Sequence, residues 1–315
     1  MEDAKDVMYL ATSPDKKFLY AAESMPSCTN PQGGISVYAI FDNKATRISS
    51  RPVSPTVPCH ISVSNDGTLI AFAEYANGIA GILKILPDGT LSEPIATVKH
   101  EGTPGPNKKR QDAPHCHCTT FSPDDKHIYV CDLGLDKIFD YEITPNGMTE
   151  IETTGFKSQP GSGPRHIVFH PTNKTLAFVI NELSNTVDSL LITETGFNLV
   201  NSYKILPTDF RGCTKAAALK FSKNGNMLLA STRGYDSIAV FSVNTNNGTL
   251  NRLAVNRLCG EFPRDFEFVH GNKYIIAGHE LSNEIAVYEF GSDRKTLSQL
   301  GSVFEITKPV CFAFA

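Results

Sequence analysis

The sequence has no tryptophan, and it has no surplus of basic charge: 29 lysines and arginines stand against 33 acidic residues, for a net charge of −4. That balance gives no footing to a nucleic-acid or anionic-membrane binder, and neither is expected as a partner. Long apolar runs are also missing. The longest, such as Leu176 to Ile180, reach about five residues, against the ~20 that span a bilayer. The start, Met1-Glu-Asp-Ala-Lys-Asp, is acidic where a secretory leader is basic and then apolar, so a cytoplasmic protein is expected. The eight cysteines (28, 59, 116, 118, 131, 213, 259 and 311) form no Cys-x-x-Cys pair, and Cys116-x-Cys118 has no second pair to complete a zinc site. Reduced, mostly buried thiols are expected. Gly-x-Ser-x-Gly, a phosphate-cradling glycine loop and His-Glu-x-x-His are all absent, which removes the commonest serine-hydrolase, nucleotide and zinc-protease chemistries.

What is present is a soluble-protein balance, 41% apolar and 20% charged over 315 residues, with enough apolar side chain for a sizeable core. It is organised as a repeat. Ser13-Pro-Asp-Lys-Lys-Phe-Leu-Tyr-Ala-Ala-Glu returns from Ser64, Ser122, His170 and Ser222, and in shortened form from His270, at steps of 51, 58, 48, 52 and 48. Each copy reads as a strand, a turn rich in Pro, Asp, Asn and Gly, a β-branched second strand, a third such as Ile238-Ala-Val-Phe, and a closing strand after a Gly turn. A period near fifty built of short strands is the mark of a β-propeller, and helical periodicity is hard to find anywhere. The expected fold is one all-β domain over 1–315, a propeller of the seven-bladed type with six full four-stranded repeats. Residues 309–315 (Pro-Val-Cys-Phe-Ala-Phe-Ala) read as an orphan first strand of an incomplete seventh blade. Self-association through that exposed edge is the corresponding partner expectation.

Polar residues gather at one set of strand ends. In Arg110-Gln-Asp-Ala-Pro-His-Cys-His-Cys, alternation puts His115 and His117 on one face and Cys116 and Cys118 on the other. The histidines suit general-base work; no third ligand accompanies them, and no metal or cofactor is expected. Arg165 begins a first strand and Glu182 ends its neighbour, so an antiparallel pairing brings them to the same edge. Arg233, Arg264 and Glu280 repeat the arrangement in part, and Glu74 and Asp132 occupy the matching places earlier in the chain. Such a set fits an anionic substrate, or equally an Arg–Glu lattice that ties blades together. Lys108-Lys-Arg is a short basic run beside the histidines, and Asn173-Lys-Thr and Asn247-Gly-Thr match the glycosylation triplet by chance.

Pro114-His-Cys-His, Asp132-Leu-Gly-Leu-Asp-Lys, Gly163-Pro-Arg-His-Ile-Val-Phe-His-Pro, Asn181-Glu-Leu-Ser-Asn, Arg233-Gly-Tyr-Asp-Ser and Pro263-Arg-Asp-Phe, in that order, resemble the seven-bladed propeller lactonases. That family holds bacterial-type 6-phosphogluconolactonases and 3-carboxy-cis,cis-muconate lactonising enzymes. The resemblance implies a His, Arg and Glu site at His117, Arg165, Glu182 and Arg233 and no metal; from their places at the strand ends, His115, Arg264, Glu280 and Arg110 are expected on the substrate. His117 would deprotonate water and Arg165 would hold the oxyanion. Glu182 would orient its neighbours or protonate the leaving oxygen, and the remaining arginines, with Lys109, would hold a phosphate or carboxylate. The sequence departs from the family at Ala218, where a Glu is usual, at Thr232 for Asn and at Tyr235 for His. Strands that normally precede the first blade are missing as well. A 6-phosphogluconolactonase-like hydrolase is the expected function. The alternatives are a muconate-lactonising isomerase and a non-catalytic propeller that serves as a binding platform; calcium-dependent propeller lactonases are a more distant relation.

Overall fold

A computed structural model describes residues 4–25, 32–42 and 44–314. The chain divides into two compact units, Met1–Pro160 with Ala313–Ala315, and Gly161–Phe312. No helix occurs among the described residues.

The first unit holds three antiparallel blades. One contains β1 (Tyr9–Thr12), β2 (Phe18–Met25), β3 (Gln32–Phe41) and β4 (Lys44–Ser54); the next contains β5 (His60–Val63), β6 (Leu69–Glu74), β7 (Ile79–Ile85) and β8 (Leu91–Lys99). The third contains β9 (Cys116–Phe121), β10 (His127–Asp132), β11 (Lys137–Thr144) and β12 (Gly147–Glu150), and the two-residue β13 (Phe156–Lys157) adds to β11 as a fifth strand. The second unit holds three more. These are β14 (Pro164–Phe169) to β17 (Gly196–Lys204) by way of β15 (Leu176–Asn181) and β16 (Thr186–Thr193); β18 (Lys215–Phe221), β19 (Met227–Arg233), β20 (Ser237–Val243) and β21 (Leu250–Arg257); and β22 (Pro263–Val269), β23 (Tyr274–His279), β24 (Glu284–Phe290) and β25 (Leu297–Glu305).

The repeat's first residue makes the first turn of each copy. Ser64 Oγ donates to Asp66 Oδ1 at 2.6 Å and accepts the Leu69 amide at 2.9 Å, and Ser13, Ser122 and Ser222 do the same for their turns. A hydroxyl suits the place because it donates and accepts at once. Second strands are the most deeply buried: every residue of β15 and β19 is buried. The outermost strand β4 alternates exposed and half-buried positions, as one face to solvent requires. Apolar clusters lie between neighbouring blades of each unit, one around Phe72 and Tyr20, another around Phe178 and Phe241.

The seventh blade is not realised. Six blades are present among the described residues, and 309–314 form no strand. A single strand without a partner has no ladder for its backbone groups. Instead the Phe312 amide donates to Asp265 Oδ2 at 3.0 Å, and the Phe314 carbonyl accepts Lys16 Nζ at 2.6 Å.

Candidate active site

Four of the six first strands carry one residue too many for their partner. In the third blade Cys118 pairs with Cys131 and Cys116 with Asp132, so His117 is the extra residue. Arg165 is extra between His166–Ile180 and Pro164–Asn181 in the fourth, and Arg264 between Asp265–Gly278 and Pro263–His279 in the sixth. In the fifth, Ala217 and Ala218 both face Ser231. A bulge bends its strand and re-aims the side chain it carries, and three of these bulges carry residues singled out from sequence.

In the second unit, Arg165, Glu182 and Arg233 converge and are all buried. Glu182 Oε2 lies 2.7 Å from Arg233 Nη2 and 3.2 Å from Arg165 Nε. Its position is fixed by its own amide, which donates to the Gly163 carbonyl at 2.7 Å, with Gly163 at φ 62°. The bulged β18 offers carbonyls to both cations: Arg233 Nη2 donates to Ala216 O at 2.8 Å and Arg165 Nη1 to Ala217 O at 2.6 Å. Arg165 Nη1 is also 3.0 Å from His166 Nε2. Arg233 is followed by Gly234 at φ 93°, where a Cβ would meet the Cys213 carbonyl at 2.7 Å, and its guanidinium lies 5.4 Å from the Phe262 ring centroid. Burial lowers the Arg233 pKa below its usual value; Glu182 opposes that shift and Arg264 adds to it. Two guanidiniums on one carboxylate leave the trio with net positive charge. Arg264 Nη1 and Glu280 Oε2 form a separate, more exposed pair at 3.3 Å.

In the first unit, His115 and His117 are buried and share one neighbour that sequence reasoning missed. The Tyr75 ring stacks on His115 at 4.2 Å and 4°, and meets His117 edge-on at 5.7 Å and 83°. Arg110 Nη2 donates to Tyr75 Oη at 3.2 Å. His115 turns both ring nitrogens to acceptors, Nδ1 to the Tyr75 carbonyl at 2.9 Å and Nε2 to Asp112 Oδ1 at 3.2 Å. The hydrogen bond from His115 holds the exposed Asp112 carboxyl below its ordinary pKa.

The strand-end carboxylates of this unit are spent on structure. Asp132 Oδ1 accepts the His115 and Leu135 amides at 2.9 and 3.0 Å, and its Oδ2 pairs with His100 Nδ1 at 2.7 Å. Glu74 accepts the Ala76 and Asn77 amides and Thr56 Oγ1. His100, Cys116 and Asp132 place three possible metal-ligating atoms within 4.8 Å of one another. Nitrogen and oxygen bound to one tetrahedral zinc at ~2.0 Å would stand ~3.3 Å apart, so the 2.7 Å contact is that of a hydrogen-bonded pair. Burial and the Asp132 charge push the Cys116 thiol well up, which keeps it protonated. Cys59, Cys116, Cys118 and Cys131 are buried free thiols, Cys213 and Cys259 are exposed and Cys311 is half-buried, while Cys28 lies outside the described residues.

The three departures from the family pattern fall on packing. Ala218 belongs to the apolar cluster with Leu229 and Phe266, Thr232 Oγ1 is 2.7 Å from Ser237 Oγ, and Tyr235 lies between Phe210 and Arg257.

The family model for "Lactonase, 7-bladed beta-propeller" matches residues 1–314. The chain is 32% identical over 310 residues to the 6-phosphogluconolactonase of Bacillus subtilis (strain 168), which covers 97% of this chain and 86% of that protein. A crystal structure from Lactobacillus plantarum superposes with a TM-score of 0.89 at 30% identity, covering 98% of this chain and 87% of that one. A candidate 6-phosphogluconolactonase from Bacteroides fragilis gives 0.88 at 27% identity, with coverage of 98% and 87%. With six propeller blades, bulged strand starts and a buried Arg–Glu–Arg trio already in place, this match over nearly every residue makes the chain a member of the lactonase family of seven-bladed β-propellers.

Proposed function

We propose that the protein hydrolyses the lactone of an anionic sugar acid, with 6-phosphogluconolactone as the substrate to test first. The observation that carries this reading is the buried trio of Arg165, Glu182 and Arg233 in a chain similar to a 6-phosphogluconolactonase over 97% of its length. Opening a lactone needs a water made nucleophilic and a charge stabilised on the carbonyl oxygen. Two guanidiniums held in place by backbone carbonyls and one shared carboxylate answer the second need without reorganising. Arg165 takes the oxyanion, and Arg233, with the more exposed Arg264, takes the phosphate or carboxylate of the substrate. Glu182 has one oxygen committed to both arginines, which suits it to orienting them. His117 takes the proton from water, on a bulge that re-aims its side chain.

The test is hydrolysis of freshly made 6-phosphoglucono-δ-lactone above its spontaneous opening, beside the unphosphorylated lactone and 3-carboxy-cis,cis-muconate. Acceleration of the phosphorylated lactone alone supports the reading. Conversion of muconate alone replaces it with the isomerase.

A further inference from the structure

We propose that Tyr75 is the positioning residue of the His117 general base. For its kinetic consequence this rests on the lactone-hydrolase reading; its geometry stands apart from it. Tyr75 directly follows β6, where an aromatic residue at the end of a buried strand reads in sequence as one more core residue. It is only half-buried, and it makes four contacts with one constellation. Its ring faces His115 at 4.2 Å and meets His117 edge-on at 5.7 Å, its carbonyl accepts from His115 Nδ1 at 2.9 Å, and its hydroxyl accepts from Arg110 at 3.2 Å.

These contacts divide the labour. The stacked pair and the carbonyl lock the His115 ring, and Asp112 closes the lock on the other side. The Tyr75 ring then forms a wall perpendicular to His117, which restricts the rotation of an imidazole that must present one nitrogen to water. One well-formed aromatic pair is worth about a two- to tenfold effect. The hydroxyl acts separately: it anchors Arg110, a cation beside the histidines, so losing it disturbs substrate binding and spares the base.

Tyr75→Leu and Tyr75→Phe separate the two roles, read by lactone hydrolysis and by NMR of the labelled histidine rings. The leucine variant is expected to move the ring signals of His115 and His117 and lower kcat about tenfold, with little change in KM. The phenylalanine variant keeps the ring; it is expected to hold both ring signals, rescue kcat to within about twofold and raise KM. Unmoved His117 signals in a folded Tyr75→Leu protein overturn the proposal, as does a wild-type kcat in that variant. If the leucine variant does not fold, a collapse of kcat in Tyr75→Phe with its ring signals in place overturns it instead. If the wild-type protein opens no lactone, the functional reading falls and the ring signals alone decide the positioning.

Discussion

Arg233 Nη2 of the fifth blade reaches Glu182 Oε2 of the fourth at 2.7 Å, and the same oxygen holds Arg165 of the fourth blade at 3.2 Å. One carboxylate therefore fixes the heads of two arginines that arrive from different sheets.

The pair predicts a split between stability and activity. Glu182→Ala leaves two buried guanidiniums facing each other and is expected to destabilise the protein by about 3–5 kcal/mol in urea unfolding. Arg233→Gln keeps a donor for the Ala216 carbonyl and removes one cation, so it should be milder in stability and lower kcat/KM at least tenfold if the guanidinium meets substrate. A purely structural lattice would show the reverse: a stability loss with kcat/KM unchanged.

Metal removal is expected to do nothing. His100 and Asp132 stand at hydrogen-bond distance and Cys116 is held as a thiol, so a chelator should leave lactone hydrolysis at its original rate. Loss of activity in EDTA, restored by calcium or zinc, would move the protein toward a metal-dependent lactonase.

His170 predicts a pH dependence of stability. It stands where four other repeats have serine, accepts the Asn173 amide on Nδ1 at 2.9 Å and donates from Nε2 to the Gly225 carbonyl at 3.1 Å. Only the neutral ring can do both. Burial lowers its pKa below 6.5, with the Gly225 bond opposing, and burial lowers His279 likewise. Between the native and unfolded values the unfolded chain binds more protons. The contribution is therefore complete above ~6.5 and lost as pH falls through the native value. The urea midpoint should drop between about pH 7.5 and about pH 5.5, and His170→Ser should flatten that drop. Equal slopes in the two proteins would contradict the assignment.

What could be read from the sequence follows from range. The blade repeat is local, so Ser-x-Asp turns and strand order were legible, and so was the Arg165–Glu182 pairing, which needs only two adjacent antiparallel strands. The Arg233–Glu182 pair depends on how one blade packs on the next, and no spacing encodes it. The bulges at His117, Arg165 and Arg264 carry no glycine to announce them. Tyr75 and His100 belong to no motif, and their partners lie 40 and 32 residues away, so nothing local singles them out. Residues 309–315 have strand composition, but composition supplies no partner, and the described residues form no strand there.

The most direct test of the account is the rate of 6-phosphoglucono-δ-lactone opening by the wild-type protein and by His117→Ala, each measured against the spontaneous reaction. The account predicts clear acceleration by the wild type and a loss of about a hundredfold or more in a folded His117→Ala protein. Equal turnover by the two proteins would remove His117 as the base. No acceleration by a folded wild-type protein would contradict lactone hydrolysis itself.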